Sequence, residues 1–325
     1  MSEFDQIRAS AADIQSNLDS IKRRYDRYAA FIIGIQKNYS HFVTIAALRS
    51  QLICCTDHSD TDISISSYPF YYSPEFARLI HVRCEKCGTT FVPTFDFSLD
   101  EYYKGRYAEQ VQPFRQCARP FYAETNDFLR SQTYVRMRER AQFHLETLGV
   151  TADMRLLDVG AGVGIALSEA KTRHRFADEP DAFSRQILRE EVGAELISVA
   201  DCNETFDRIV CSHMLEHLPM SALAAFLARL RRLLSPGGRL LIETPFGADQ
   251  VSATRDGARA AIFEPHTIQF SARGLASILR QAGFRLRALT PDKGLNALPE
   301  QERSAVMGDV QPLRASGLVA VCELP

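Results

Sequence analysis

Leu156-Leu157-Asp158-Val159-Gly160-Ala161-Gly162-Val163-Gly164 decides the fold. An apolar run of the kind found in a buried strand leads into three glycines at alternate positions, and a helical pattern follows over Val163–His174. Glycines placed this way let the chain turn tightly and let its backbone approach a ligand closely. The spacing is G-x-G-x-G, not the G-x-G-x-x-G of dinucleotide folds, and Asp158 stands two residues ahead of the first glycine. Downstream, Asp178-Glu179-Pro180 ends a short strand pattern over Arg175–Asp178. A carboxylate there can accept both hydroxyls of a ribose. Strand, glycine loop and strand-end acid together describe a site for a nucleoside-bearing cofactor.

Outward from this segment, strand and helix patterns alternate. Helices are expected over Phe128–Leu148, Asp181–Glu190, Ser221–Leu234 and Ala272–Ala282, and strands over Glu195–Val199, Phe206–Ser212, Gly238–Thr244, Phe284–Thr290 and Gly317–Leu324. Such alternation predicts an α/β fold, a parallel sheet with helices on both faces. No crossover helix separates the last two strands, so an antiparallel edge pair is expected there.

Four segments in order, LLDVGAGVG, ADEPD, FDRIVCSHMLEHL and SPGGRLLIETP, resemble the class I S-adenosylmethionine-dependent methyltransferases over about residues 130–325. The resemblance implies a Rossmann-like seven-stranded sheet with its last strand antiparallel. It implies that Gly160, Gly162 and Gly164 pass under the methionine part of S-adenosylmethionine while Asp158 orients the loop. Glu179 is the first candidate to hold the ribose, with Asp178 second, and Asp201 or Cys202 would face the adenine edge. His213 reads as cofactor-proximal. Glu216 and His217 read as a structural element packed beside the cofactor.

The N-terminal half carries different signals. Apolar residues from Phe4 to Phe42 keep an unbroken 3-4 alternation, the mark of a long helix with a coiled-coil seam through which copies of the chain would associate. Short runs rich in Ile, Tyr, Phe, Val and Thr follow over residues 51–100, as in small hairpins. Within them Cys84-Glu-Lys-Cys87-Gly88 has the C-x2-C-G form of a zinc knuckle, and Cys55 and His58 repeat the two-residue spacing upstream. Cys55, His58, Cys84 and Cys87 would make a tetrahedral Cys3His site, with Cys54 as the alternate to Cys55. Four protein ligands leave no open position, so this metal would be structural.

The ribbon, the connector LDEYYKGRY and the domain after it are similar to sugar C-methyltransferases and their relatives in bacterial glycan and natural-product pathways. This chain has His58 where those proteins carry Cys, and it ends soon after the sheet, without their extra C-terminal domain. O-methylation of a sugar or glycan therefore stands level with C-methylation. Either acceptor must lose a proton, and a histidine suits a base near neutral pH. Those relatives carry Glu-His-x-x-Tyr-Phe-Ser where this chain has Glu264-Pro265-His266-Thr-Ile-Gln-Phe270-Ser271. His266 is the candidate general base with Glu264 beside it; the plainer alternative is a histidine that caps the helix beginning near Ser271. Tyr103 and Tyr107 are further candidates to reach the acceptor.

The expected division is a helical arm over 1–50, a zinc-ribbon module over 51–100, a connector and helix over 101–150, and the methyltransferase domain over 151–325. The 325 residues are 46% hydrophobic and 24% charged, an ordinary globular balance. The longest apolar stretch, Ala29–Ile35, is far too short to span a bilayer, and MSEFDQ does not open a signal peptide, so a cytoplasmic protein is expected. Eight cysteines without a secretory signal favour metal ligation or burial over disulfides. Two other functions compete, an RNA-base methyltransferase whose ribbon grips nucleic acid and a non-catalytic scaffold. Against the first, residues 51–130 carry eight Lys/Arg and eleven Asp/Glu, the wrong sign for phosphate contacts. The intact glycine loop and His266 argue against the second.

Overall fold

The computed structural model describes residues 63–67, 75–76, 79–107, 132–245, 266–291 and 317–325. The helical arm, Cys54, Cys55, His58 and Glu264 lie outside them.

The described chain opens with three antiparallel strands, β1 (Ile63–Ser67), β2 (Ile80–Cys84) and β3 (Thr90–Phe91). A short helix α1 (Leu99–Tyr102), capped by the Ser98 hydroxyl, runs into a π-helical turn over Tyr103–Tyr107. Helix α2 (Gln132–Leu148) then leads to β4 (Arg155–Val159), α3 (Ile165–Glu169), β5 (His174–Asp178), α4 (Ala182–Glu190), β6 (Glu195–Leu196) and β7 (Phe206–Ser212). The chain continues through α5 (Met220–Leu233), β8 (Leu234–Thr244), β9 (Ile268–Gln269), α6 (Ala272–Gln281), β10 (Arg285–Pro291) and β11 (Leu318–Glu323).

Seven of these strands form one sheet in the order β10-β11-β8-β7-β4-β5-β6. The five from β8 to β6 are parallel, and β11 lies antiparallel between β8 and β10. The expected antiparallel pair is present, with the last strand inserted inside the sheet and β10 at the edge. Strand residues divide alternately between two apolar clusters: Leu156, Ala177, Val210, Leu241 and Val319 on one face, Leu157, Ile209, Leu240, Ile242 and Ala320 on the other. A sheet covered on both faces is what continuous Leu/Ile/Val runs require. Helix α5 buries Met220, Leu223, Leu227, Leu230 and Leu233, the three-four spacing that sets one helical face against the sheet.

The expected helix over Val163–His174 shortens to α3. The Arg175 guanidinium takes the carbonyls of Ala170, Thr172 and Val192, which draws the chain out of helical conformation after Glu169. The strand expected over Glu195–Val199 is cut to β6, because Ser198 accepts from the backbone of Asp201 and Cys202 and turns the chain.

The small N-terminal sheet is completed from far along the chain. β9 pairs antiparallel with β3, Thr90 opposite Gln269 and Phe91 opposite Ile268. The Val92 N–H donates to the Thr267 carbonyl at 2.8 Å, and the hydroxyls of Thr89 and Ser271 meet at 3.1 Å. Val82, Cys84, Cys87 and Phe91 share one apolar cluster with Ile268, Phe270 and Leu275, so the module and the α/β domain bury a common core.

Candidate functional site

The order of the large sheet reverses between β4 and β7, and in open α/β sheets the crevice at the carboxyl ends of such strands receives the ligand. Both loops leaving this point carry site residues. After β4, Gly160, Gly162 and Gly164 all adopt left-handed φ, of 75°, 53° and 81°. An added Cβ at Gly164 would stand 2.6 Å from Leu188 of α4, so this glycine is required by packing as well as by its dihedral.

Glu179 is tied into the same loop. One carboxylate oxygen accepts from the Gly162 N–H at 2.7 Å and the other from the Asp181 N–H at 2.9 Å. The Asp178 carbonyl accepts from Gly160 at 2.8 Å, which joins the glycine loop to the end of β5. Asp158 is buried beneath; burial first, and the Glu179 charge second, push its carboxyl up to about 7. The glycine loop, Asp158, Asp178 and Glu179 therefore come together as the sequence implies. Asp201 bonds to Ser198 at 2.8 Å in the turn after β6.

The loop after β7 brings a second group of side chains. His213 is the one described non-glycine residue with positive φ, 53°, and its N–H donates to the Glu243 carbonyl at 2.8 Å. Its Nδ1 lies 3.3 Å from Glu216 and its Nε2 3.7 Å from Glu243. Burial disfavours charge on His213, while the two carboxylates favour it and carry its pKa to about 9. The Arg140 guanidinium, 2.9 Å from Nε2, can only donate, so this contact favours the neutral ring with Nε2 accepting, in opposition to the two carboxylates that favour the imidazolium. Met214 packs at Gly160, which sets this loop directly against the glycine loop.

Glu243, at the end of β8, is fully buried and accepts from His144 Nε2 and the Ser212 hydroxyl, each at 2.8 Å. Burial opposes its charge, but bonds from His144 and His213 hold its carboxyl well below the ordinary range. Glu216 is also buried, with 1% exposure; Oε1 faces His213 Nδ1 at 3.3 Å and Oε2 has no hydrogen-bond partner among the described residues. Burial works against its ionisation, and His213, His217 and His266 hold its pKa below the usual carboxylate value.

His266 enters from the segment before β9 and is buried. Its neighbour Thr267 donates from N–H to the Glu216 carbonyl at 2.7 Å, and its hydroxyl bonds the carbonyls of Glu216 and Leu218. These bonds lock His266 over the β7 loop, so that Glu216, His217 and His266 offer ligand atoms all within 4.8 Å of one another. Tyr103, from the connector, shares a hydrogen bond of 3.0 Å with His217 Nδ1. The helix beginning at Ala272 is capped by the Ser271 hydroxyl, which accepts from Gly274 at 2.9 Å; His266 does not cap it.

The sequence pointed to His213 and His266 separately. It gave Glu216 and His217 a packing role ahead of a catalytic one, and it carried no signal for Glu243, His144 or Arg140, which arrive from β8 and α2. Of the four expected zinc ligands, two lie among the described residues. Cys84 and Cys87 are buried at a turn that Gly88 makes with φ 85°, and the Thr89 N–H points at Cys87 Sγ at 3.5 Å.

A family model for the methyltransferase domain matches residues 107–289. Among solved structures, the chain is similar to an S-adenosylmethionine-dependent methyltransferase of Thermotoga maritima, at 15% identity over 64% of this chain and 100% of that one, with a TM-score of 0.43. It is also similar to the 1,6-didemethyltoxoflavin-N1-methyltransferase of Burkholderia thailandensis, at 19% identity over 72% and 94% of the two chains, with a TM-score of 0.41. A third is the magnesium protoporphyrin IX methyltransferase of Synechocystis PCC 6803, at 13% identity over 69% and 97%, with a TM-score of 0.46. No curated protein matches the chain in sequence.

Proposed function

The chain belongs to the methyltransferase-domain family, and on that premise we propose that it transfers the methyl group of S-adenosylmethionine to a sugar or glycan acceptor. The observation that carries this reading is the contact between two loops at the switch point of the sheet. One holds three left-handed glycines beside Asp158 and Glu179, a cradle for the cofactor; the other, joined to it through Met214 and Gly160, leads to the polar cluster at His266.

S-adenosylmethionine supplies an electrophilic methyl on a sulfonium. The chain's own contribution is to align acceptor, methyl carbon and sulfur, a proximity effect of several kcal/mol. Gly160, Gly162 and Gly164 carry the methionine part and Glu179 or Asp178 the ribose. The acceptor lies against the His266 cluster and gives up its proton there as it attacks; the carbon–sulfur bond breaks and its electron pair stays on sulfur. Thr267, bonded to the Glu216 carbonyl, holds His266 in place for this step.

A polar, hydrogen-bonding cluster on the acceptor side suits a polyhydroxylated acceptor, and the ribbon and connector resemble those of sugar methyltransferases. Incubating the enzyme with labelled S-adenosylmethionine and a panel of nucleotide-linked sugars, read by mass spectrometry, tests the proposal. Labelled methyl on one or more sugars is expected; turnover only on non-sugar acceptors would remove the sugar assignment.

Cys84 and Cys87 are proposed to hold a structural zinc ion with Cys55 and His58. The fit of the described half is good, with two thiols and a backbone N–H directed at sulfur, as thiolate ligands need. Zinc there would brace the module that supplies β3 to β9 and so holds the His266 segment. Association of copies through the N-terminal helix and a cytoplasmic location belong to the same proposal. Among the described residues no helix is long and apolar enough to cross a membrane.

A further inference from the structure

We propose that Glu216, His217 and His266 bind a divalent transition-metal cation that holds the acceptor through its oxygen. The inference rests on the acceptor-side role given to this cluster above and states how the cluster works.

Three side chains from two segments, one carboxylate and two imidazoles, place their ligand atoms within 4.8 Å of one another. Ligands about 2.1 Å from a shared ion in a tetrahedral array stand about 3.4 Å apart, so the three atoms must draw together to complete the site. The second observation is the state of Glu216. It is 1% exposed, Oε1 faces His213 Nδ1 at 3.3 Å, and Oε2 has no hydrogen-bond partner among the described residues. A buried carboxylate is normally hydrogen-bonded or bound to a metal. Glu243 on the other side of His213 shows the contrast, since it accepts from both His144 and Ser212.

The surroundings are built as a ligand shell requires. The Tyr103 hydroxyl engages His217 Nδ1 and fixes that ring, as partners of ligating histidines do. Thr267 ties the His266 segment to the Glu216 backbone, so the ligands cannot drift apart independently.

Two imidazole nitrogens select manganese, cobalt or zinc over magnesium and calcium, which prefer all-oxygen shells. Three protein ligands leave positions open, unlike the closed knuckle. An acceptor hydroxyl, or two neighbouring hydroxyls of a sugar, would fill them. The cation would lower the hydroxyl's pKa, its proton leaving to water, and His266 would act as a ligand of the ion. The acceptor atom is then oxygen.

The test uses the full-length protein, dialysed briefly against EDTA and titrated with Mn2+, with free ion read by electron paramagnetic resonance. Manganese suits the nitrogen and oxygen donors and ignores the thiolate knuckle, whose zinc content is followed separately. One Mn2+ per chain is expected, with binding at least tenfold weaker in both Glu216→Gln and His217→Gln. Circular dichroism and S-adenosylmethionine binding identify a variant that fails to fold, and the other then decides. Absence of Mn2+ binding to the wild-type protein, or undiminished binding in a folded variant, overturns the site. Turnover that survives EDTA yet is lost in His266→Ala overturns the cation and leaves the proposed function standing. Full turnover in His266→Ala, with Mn2+ binding weakened, overturns both the cation's hold on the acceptor and the role of His266 as base.

Discussion

The rings of His217 and His266 meet edge to face, 5.0 Å between centroids at an interplanar angle of 76°. His217 ends the loop after β7 and His266 precedes β9, and the hydrogen bonds of Thr267 to Glu216 and Leu218 are what bring the two segments into register. The small N-terminal sheet holds β9 from its other side. The proposed acceptor side of the site is therefore assembled from three stretches of chain, and its parts can be tested one at a time.

If His266 takes the acceptor's proton, as proposed, replacing it with Ala removes that group. We expect turnover to fall by about 10²–10⁴-fold, the usual share of positioned acid–base groups. S-adenosylmethionine affinity, measured by calorimetry, should stay within about twofold, because the glycine loop follows a different strand, β4. A parallel loss of cofactor affinity would place His266 on the cofactor side instead.

Gly164→Ala should cost more stability than Gly162→Ala. Both positions have positive φ, but a Cβ at Gly164 meets Leu188 at 2.6 Å and Val192 at 3.0 Å, while at Gly162 nothing lies within 4 Å. Left-handed strain alone costs about 1–2 kcal/mol, and overpacking of a buried contact adds about 1–3 kcal/mol. Denaturant unfolding of the two variants compares them directly, and equal losses would show that packing against α4 is not what holds Gly164.

Gly274→Ala should disturb the joint between the module and the domain. A Cβ there would stand 1.9 Å from the Thr89 hydroxyl and 3.0 Å from that of Ser271. Displacement of β3 from β9 should lower kcat/KM at least tenfold with cofactor binding kept, since His266 rides on the segment that leads into β9. Adding Thr89→Ala removes the closest atom and should return part of the activity; no recovery would mean that the damage lies elsewhere in α6.

Stability should fall as pH rises from about 4 to 7 through one group, Asp158. Its folded pKa, about 7, lies above the ordinary aspartate value of 3.8, so the folded state holds the proton across that window and the unfolded chain does not. The contribution is fully present below the unfolded value and is lost as pH climbs to the folded one, with a slope of at most about 1.4 kcal/mol per pH unit. Asp158→Asn should flatten that limb of the stability–pH curve in denaturant titrations between pH 4 and 8. An unchanged slope would assign the dependence to other groups.

Much of the cofactor side was legible because it rests on local requirements. Gly160, Gly162 and Gly164 answer to backbone dihedrals that side chains tolerate poorly, and Glu179 reaches the loop because β4 and β5 are parallel neighbours. The knuckle at Cys84–Gly88 is likewise a short-range turn. The acceptor side was half legible. His266 stood out as a histidine after the fifth parallel strand, whereas Glu216 and His217 looked like packing residues within the FDRIVCSHMLEHL run. Glu243 and His144 gave no sign, since a buried acid and its histidine are recognised only when the strand end and helix that carry them are seen side by side.

By itself the sequence determined the alternation of strands and helices, the glycine cradle and the cysteine turn, because dihedral limits, apolar periodicity and ligand spacing act over a few residues. The tertiary structure decided that β9 would leave the large domain to finish the small sheet, that Thr267 would bind the Glu216 backbone, and that His266 would come to rest beside His217 and the buried Glu216 carboxylate. Those placements depend on which distant surfaces bury each other, and no local pattern encodes that choice.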